Sequence, residues 1–121
     1  MQNGRDVLVV EDDGPTRSLL VAIVHRNGYR PVEAKDGRSA FVLLEAAQFR
    51  AVLLDLLLPE MSGLEILRHL IATNPEMLAH IAVITAALEL TRSAEVKRAR
   101  TVVGKPFELK DVERALRFCC E

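Results

Sequence analysis

Three features of this sequence predict a doubly wound α/β domain, in which a five-stranded parallel sheet carries helices on both faces. Short β-branched or apolar runs alternate five times with longer stretches of helical character, from Asp6–Val10 to Glu108–Cys119. The runs at Val7–Val10, Val52–Leu54 and Ile81–Ile84 are apolar throughout, the pattern of strands buried on both faces. Each then breaks into polar residues, Glu11 and Asp12, Asp55, and Thr85, which places those groups at the carboxyl edge of the sheet.

Taken in order, Asp6–Val10 is the first strand. Gly14 and Pro15 open a helix, where proline suits the first turn, and its stripe of Leu19, Leu20, Ile23 and Val24 ends before Gly28, a C-terminal cap. Tyr29–Ala34 is a weaker strand nearer an edge. Asp36 and Gly37 turn the chain into a helix over Ser39–Phe49, with Ala40, Leu43, Leu44 and Ala47 at helical spacing. Val52–Leu54 is the third strand, stopped by Asp55 and Pro59. Gly63 allows a tight turn into a helix over Leu64–Ala72, which closes near Asn74-Pro75. Ile81–Thr85 is strand four, and Glu89–Arg100 reads as a helix with a poor apolar stripe. Thr101–Val103 is a short fifth strand stopped by Gly104. Glu108–Cys119 is the last helix, with Leu109, Val112, Leu116 and Cys119 on one face.

The length of 121 residues suits one domain, residues 1–121, with a radius of gyration of roughly 14 Å. Half of the residues are hydrophobic, enough for a real core. A formal net charge of −1 supplies no basic field for nucleic acid or a membrane surface. The N-terminal MQNGRD lacks a leader's apolar core, and no apolar run reaches the ~18 residues of a membrane span. Cys119 and Cys120 are neighbours and read as reduced thiols of a cytoplasmic protein. His25, His69 and His80 share no ligand spacing and read as surface residues. Arg92, Lys97, Arg98 and Arg100 read as a solvated helix face.

The fold brings strand ends together, so Glu11, Asp12, Asp55, Thr85 and Lys105 converge. Three carboxylates repel one another unless a cation neutralises them, and oxygen ligands with several waters are the habit of Mg²⁺. Lys105 adds a point charge and Thr85 a hydroxyl. The set suits a phosphoryl group carried on Asp55 as nucleophile, with the cation and Lys105 neutralising its oxygens and Thr85 bonding to it once attached. Taken alone, Asp55 equally fits a capping aspartate, Thr85 an ordinary strand-end threonine and Asp13 a helix N-cap.

The runs LVVED at 8–12, LLDLLLPEMSG at 53–63, ITA at 84–86 and GKPF at 104–107 resemble the receiver domain of two-component response regulators, the CheY-like family. The resemblance covers essentially the whole chain. It implies a flavodoxin-like sheet of order 2-1-3-4-5. It implies that a sensor histidine kinase or a phosphotransfer protein delivers a phosphoryl group to Asp55, and that Glu11 and Asp12 hold Mg²⁺ with Asp55 and the Leu57 backbone carbonyl. Thr85 matches the switch hydroxyl and Lys105 the phosphate-binding lysine, with a cis Lys105–Pro106 bond. An output domain or protein partner would be met through the face of helix four, strand five and helix five. Such a chain catalyses only its own phosphorylation and dephosphorylation. In the family the positions of Leu57 and Ala87 flank the path of the hydrolytic water, and neither side chain is polar.

Two departures bear on signalling. Val102 stands where the family often has an aromatic residue, and the stretch from Thr85 to Lys105 is short and lacks the usual Gly-Ala. One alternative is therefore a degenerate receiver serving as a phosphorylation-independent interaction module. A haloacid-dehalogenase-like phosphatase is a rival of another class. It needs a second aspartate two residues after the nucleophile, where this chain has Leu57.

Overall fold

The computed structural model describes residues 4–121. The reading of the N-terminus as leaderless falls partly on the first three residues, outside those described. Strands β1 (Asp6–Val10), β2 (Arg30–Ala34), β3 (Ala51–Leu54), β4 (Ile81–Thr85) and β5 (Thr101–Gly104) alternate with helices α1 (Gly14–Arg26), α2 (Gly37–Ala46), α3 (Gly63–Thr73), α4 (Ala94–Lys97) and α5 (Leu109–Cys120). All pairings are parallel, in the order β2-β1-β3-β4-β5. β2 is an edge, as its mixed pattern predicts.

Alternation along the strands builds two cores. Leu8, Val10, Val52, Leu54, Ile81 and Val83 face α2, α3 and Val96 of α4. Val7, Val9, Ala51, Leu53, Ala82 and Ile84 face α1 and α5. The three central strands are buried along their whole length, so polar groups can enter only at their ends. No helix of the described residues is long and apolar enough to cross a membrane.

Helix boundaries follow local chemistry. Asp13 is the N-cap of α1, accepting from the Thr16 amide at 3.0 Å, and the bonds from Thr16 hold its carboxyl below the usual range. α1 ends at Arg26, Asn27 is its C-cap, and Gly28 follows in the left-handed region, φ +90°, where glycine is favoured after a helix. Asp36 caps α2 from the Ser39 amide at 2.7 Å. α2 stops at Ala46, short of the expected Phe49, because Ala47 turns extended and Phe49 is buried separately. Ser62 and Glu65 form a capping box on α3. Gly63 does not sit at positive φ. Its role is space, since a Cβ there would lie 2.4 Å from the Asp55 carbonyl oxygen.

The largest correction lies between β4 and β5. The expected helix Glu89–Arg100 is instead a 3-10 segment, Leu88–Arg92, and the single turn of α4. Ser93 breaks the run with extended backbone (ψ 153°) and caps the new turn through the Val96 amide at 3.2 Å. Val96 is the one fully buried residue there, with Leu90 and Ala99 partly buried beside it, a small apolar face to sustain a longer helix. A second 3-10 segment, Pro75–His80, follows α3 where a simple stop was expected. Leu19 and Leu109, expected on apolar stripes, are 44% and 43% exposed.

Cys119 and Cys120 are buried free thiols, and burial pushes Cys119 up to about 12, which leaves it unreactive. Of the histidines, His25 is exposed as expected. His69 is half-buried against Glu45 Oε2 at 2.9 Å, and half-buried His80 shares a hydrogen bond with the Cys119 carbonyl at 2.7 Å. Arg92, Lys97, Arg98 and Arg100 are exposed but do not form the expected helix face, since only Lys97 lies in α4, and Arg100 stacks 3.7 Å from the Phe118 ring centre.

Asp6 and Arg30 join β1 to β2 by two bonds of 2.8 Å. The Arg30 guanidinium holds the Asp6 carboxyl below its ordinary range, although burial opposes this. A depressed carboxylate stabilises above its unfolded pKa, ~3.9, and its contribution is lost as pH falls through the folded value. Asp6→Asn should therefore cost about 1 kcal/mol near neutral pH, since Arg30 is largely exposed, and the gap from wild type should close in acid. Urea melts at pH 7 and pH 3 measure both; a gap that widens in acid would refute the assignment.

Candidate acidic site at the carboxyl edge of the sheet

The end of β1 delivers Glu11, whose amide continues the ladder to the Ala34 carbonyl at 3.1 Å. Its side chain is only 1% exposed. The end of β3 delivers Asp55, whose amide bonds the Val10 carbonyl at 3.1 Å and whose residue is 5% exposed. Asp12 follows Glu11 on the exposed side. One carboxylate oxygen from each of Glu11, Asp12 and Asp55 lies within 4.8 Å of the others. Like charges so close need a cation. Lys105, carried just past β5, supplies one: its Nζ donates to Glu11 Oε1 at 2.6 Å and to Asp55 Oδ2 at 2.9 Å.

The electrostatics follow from burial and pairing. Burial pushes the Glu11 carboxyl above the usual carboxylate range, and bonds from Lys105 and the Asp13 amide only partly offset this. Burial alone would lower Lys105, but its bonds to both carboxylates and their fields outweigh that, so its pKa is raised and it stays charged. The second oxygens are also held, since the Asp13 amide donates to Glu11 Oε2 at 3.1 Å and the Leu57 amide to Asp55 Oδ1 at 3.2 Å.

Thr85 ends β4 and is fully buried. Its hydroxyl accepts from the Ala87 amide at 3.1 Å, which leaves its proton available for a further acceptor. Its carbonyl accepts from the Lys105 amide at 3.0 Å, which ties the backbone of the lysine to the end of β4. The Lys105–Pro106 bond is cis, as expected. The loop after Asp55 is anchored to α2, with the Gly37 amide donating to the Pro59 carbonyl at 3.2 Å. Glu60, at φ 70°, turns that loop through the left-handed region.

The cluster fits a hard divalent cation. Its donors are carboxylate oxygens, one member faces solvent so that waters can complete the shell, and an ammonium already stands among them as a monovalent substitute. The contacts of two residues were not evident from the sequence. Arg17 bonds the Glu11 carbonyl and Glu33, and His80 bonds the end of α5. A cation one turn into α1, near three acids, was the available signal for Arg17.

Residues 7–117 match the family described as the response regulator receiver domain. The chain belongs to this family. The receiver domain is 31% identical over 106 residues to the response regulator receiver protein CpdR of Brucella abortus, covering 88% of each. It is 32% identical over 115 residues to the phosphate regulon transcriptional regulatory protein PhoB of Escherichia coli, which covers 89% of this chain; the chain spans 48% of PhoB. Among solved structures it resembles the receiver domain of the sensor histidine kinase PA1611 of Pseudomonas aeruginosa, which holds a magnesium ion in its active-site cleft. The TM-score is 0.84 with 27% identity, over 98% of this chain and 99% of that one.

Proposed function

We propose that this chain, as one receiver unit over residues 1–121, takes a phosphoryl group onto Asp55 from a sensor histidine kinase or phosphotransfer protein. The observation that carries this is the convergence of Lys105 on Asp55 and Glu11 within the three-carboxylate cluster. Glu11, Asp12, Asp55 and the Leu57 backbone carbonyl would hold Mg²⁺, which when bound neutralises phosphoryl oxygens. An Asp55 oxygen forms its bond to phosphorus as the donor's phosphorus–nitrogen bond breaks, and the donor imidazole leaves with the electron pair. Lys105 leaves Asp55 Oδ2 for the incoming phosphoryl oxygens, and the Leu57 amide keeps the carboxylate aimed. The Thr85 hydroxyl then donates to the attached group. The chain so acts only on itself, in the cytoplasm, without direct contact to nucleic acid or membrane. Its output is exerted through the face of α4, β5 and α5, of which β5 and α5 line a hollow of about 580 Å³ that includes Val102 and Phe118. The PA1611 receiver's magnesium supports the metal assignment.

Incubation with beryllofluoride and Mg²⁺, followed by amide NMR, tests this reading. Shifts centred on Asp55, Thr85 and Lys105 are expected and should need both reagents. An unchanged spectrum would overturn it in favour of a phosphorylation-independent module.

The attached group should be long-lived. Leu57, 54% exposed, and Ala87, buried, carry no polar group that could orient a water. Assistance by a positioned base, about 10²–10⁴-fold, is therefore missing. Leu57→Asn should shorten the phosphoaspartate lifetime by about tenfold, less than a true base achieves. Leu57→Met should change it little. Phosphorus-31 decay curves measure both, and a wild-type lifetime as short as that of Leu57→Asn would refute the explanation.

A further inference from the structure

Arg17 folds back from α1 over the turn that carries the acid pair. Its Nη1 donates to the Glu11 backbone carbonyl at 2.9 Å and its Nε to Glu33 Oε1 at 3.1 Å. The side chain is 21% exposed, and its backbone sits in the first turn of α1, where the Arg17 amide donates to the Asp13 carbonyl at 2.8 Å. The Glu11 carbonyl belongs to the planar peptide that joins Glu11 to Asp12, so its orientation sets the direction in which Asp12 leaves the chain.

That direction matters because the acids are unequally restrained. Lys105 and the Asp13 amide hold Glu11, and Lys105 and the Leu57 amide hold Asp55. The Asp12 carboxylate is exposed and carries no hydrogen bond or ion pair among the described residues. Its aim comes from the backbone alone. We propose that Arg17 is a positioning residue for cation binding, which by fixing the Glu11 carbonyl aims Asp12 into the cluster with Glu11 and Asp55. Glu33 on β2 orients the guanidinium in turn. The inference rests on the reading of the cluster as a Mg²⁺ site.

Coulomb's law alone predicts the opposite sign. A guanidinium near the site repels a divalent cation, so its loss would tighten binding if position did not matter. Calorimetric titration of the whole chain with Mg²⁺ decides between the two. Arg17→Met should weaken binding about tenfold, as loss of an outer-shell partner commonly does. Arg17→Lys keeps the charge but not the fork and should weaken it too. Glu33→Gln should give a smaller loss in the same direction.

In an Asp12→Ala background, Arg17→Met should change affinity less than about twofold, because a residue acting through Asp12 has nothing left to aim. Tighter or unchanged binding in Arg17→Met, or an undiminished loss in the Asp12→Ala background, would overturn the proposal. If circular dichroism shows Arg17→Met unfolded, Arg17→Lys and Glu33→Gln decide by the same criterion. A wild-type chain that takes up no Mg²⁺ would overturn the metal reading and this inference together; wild-type binding with unaltered variants overturns this inference alone.

Discussion

Asp55→Asn is expected to abolish covalent uptake of a phosphoryl group from acetyl phosphate while leaving the fold intact. Asparagine keeps the shape of the side chain, and its oxygen can still accept from the Leu57 amide, now at 3.2 Å from Oδ1. Lys105 keeps Glu11 as a partner at 2.6 Å. Removing one of three crowded like charges also relieves repulsion, so thermal stability should hold or rise. What would be lost is the anionic oxygen proposed to attack phosphorus, for which an amide is no substitute. Intact mass after incubation with acetyl phosphate and Mg²⁺ provides the measurement. Modification of the variant to the wild-type extent would place the nucleophile on another residue.

Lys105→Met should lower phosphotransfer and stability together. The missing charge at the transferring group should slow the reaction by about 10²–10³-fold, the range for removing one such stabilising donor. Glu11 and Asp55, 1% and 5% exposed, would then face each other without a counter-charge. Breaking a fully buried ion pair costs about 3–5 kcal/mol; with the lysine side chain 20% exposed, about 2–3 kcal/mol is expected here.

The sign with pH follows from Glu11, which burial already raises and which loses the bond that lowers it. A carboxyl raised above its unfolded pKa opposes folding once it must ionise, so the variant should regain stability as pH falls through the folded value. Mg²⁺ should restore stability near neutral pH, because binding to the folded chain alone stabilises it. Denaturant melts with and without Mg²⁺ report this, and a variant indifferent to both pH and Mg²⁺ would show that Lys105 does not neutralise the cluster.

Much of this was legible in the sequence for a physical reason. β1, β3 and β4 are buried on both faces, so their apolar runs stand out, and any charge adjoining them must lie at an end. Glu11, Asp55 and Thr85 could thus be placed together before any distances were known. α4 was not legible, because a run of small and charged residues looks helical in composition whether or not tertiary contacts sustain it. The deciding residue was Ser93, whose hydroxyl starts a new turn. Arg17 stayed hidden because an arginine that folds back on a carbonyl is written like one that faces solvent. Gly63 was identified for the wrong reason, as a flexible turn, when the constraint is contact with Asp55.

The single turn of α4 has a consequence for the energy scale of switching. Between Leu88 and Arg100 the chain fully buries one side chain, Val96, with Leu90 and Ala99 partly buried against the same core. Releasing a buried valine costs about 1.5–3 kcal/mol, comparable to one charge-assisted hydrogen bond. On the proposed reading, a new bond from Thr85, only three residues upstream of Leu88, would be of the same size as that cost. A phosphoryl group on Asp55 would then act as a small weight placed beside the lightly packed β4–β5 connection, while the central strands next to it stay buried along their length.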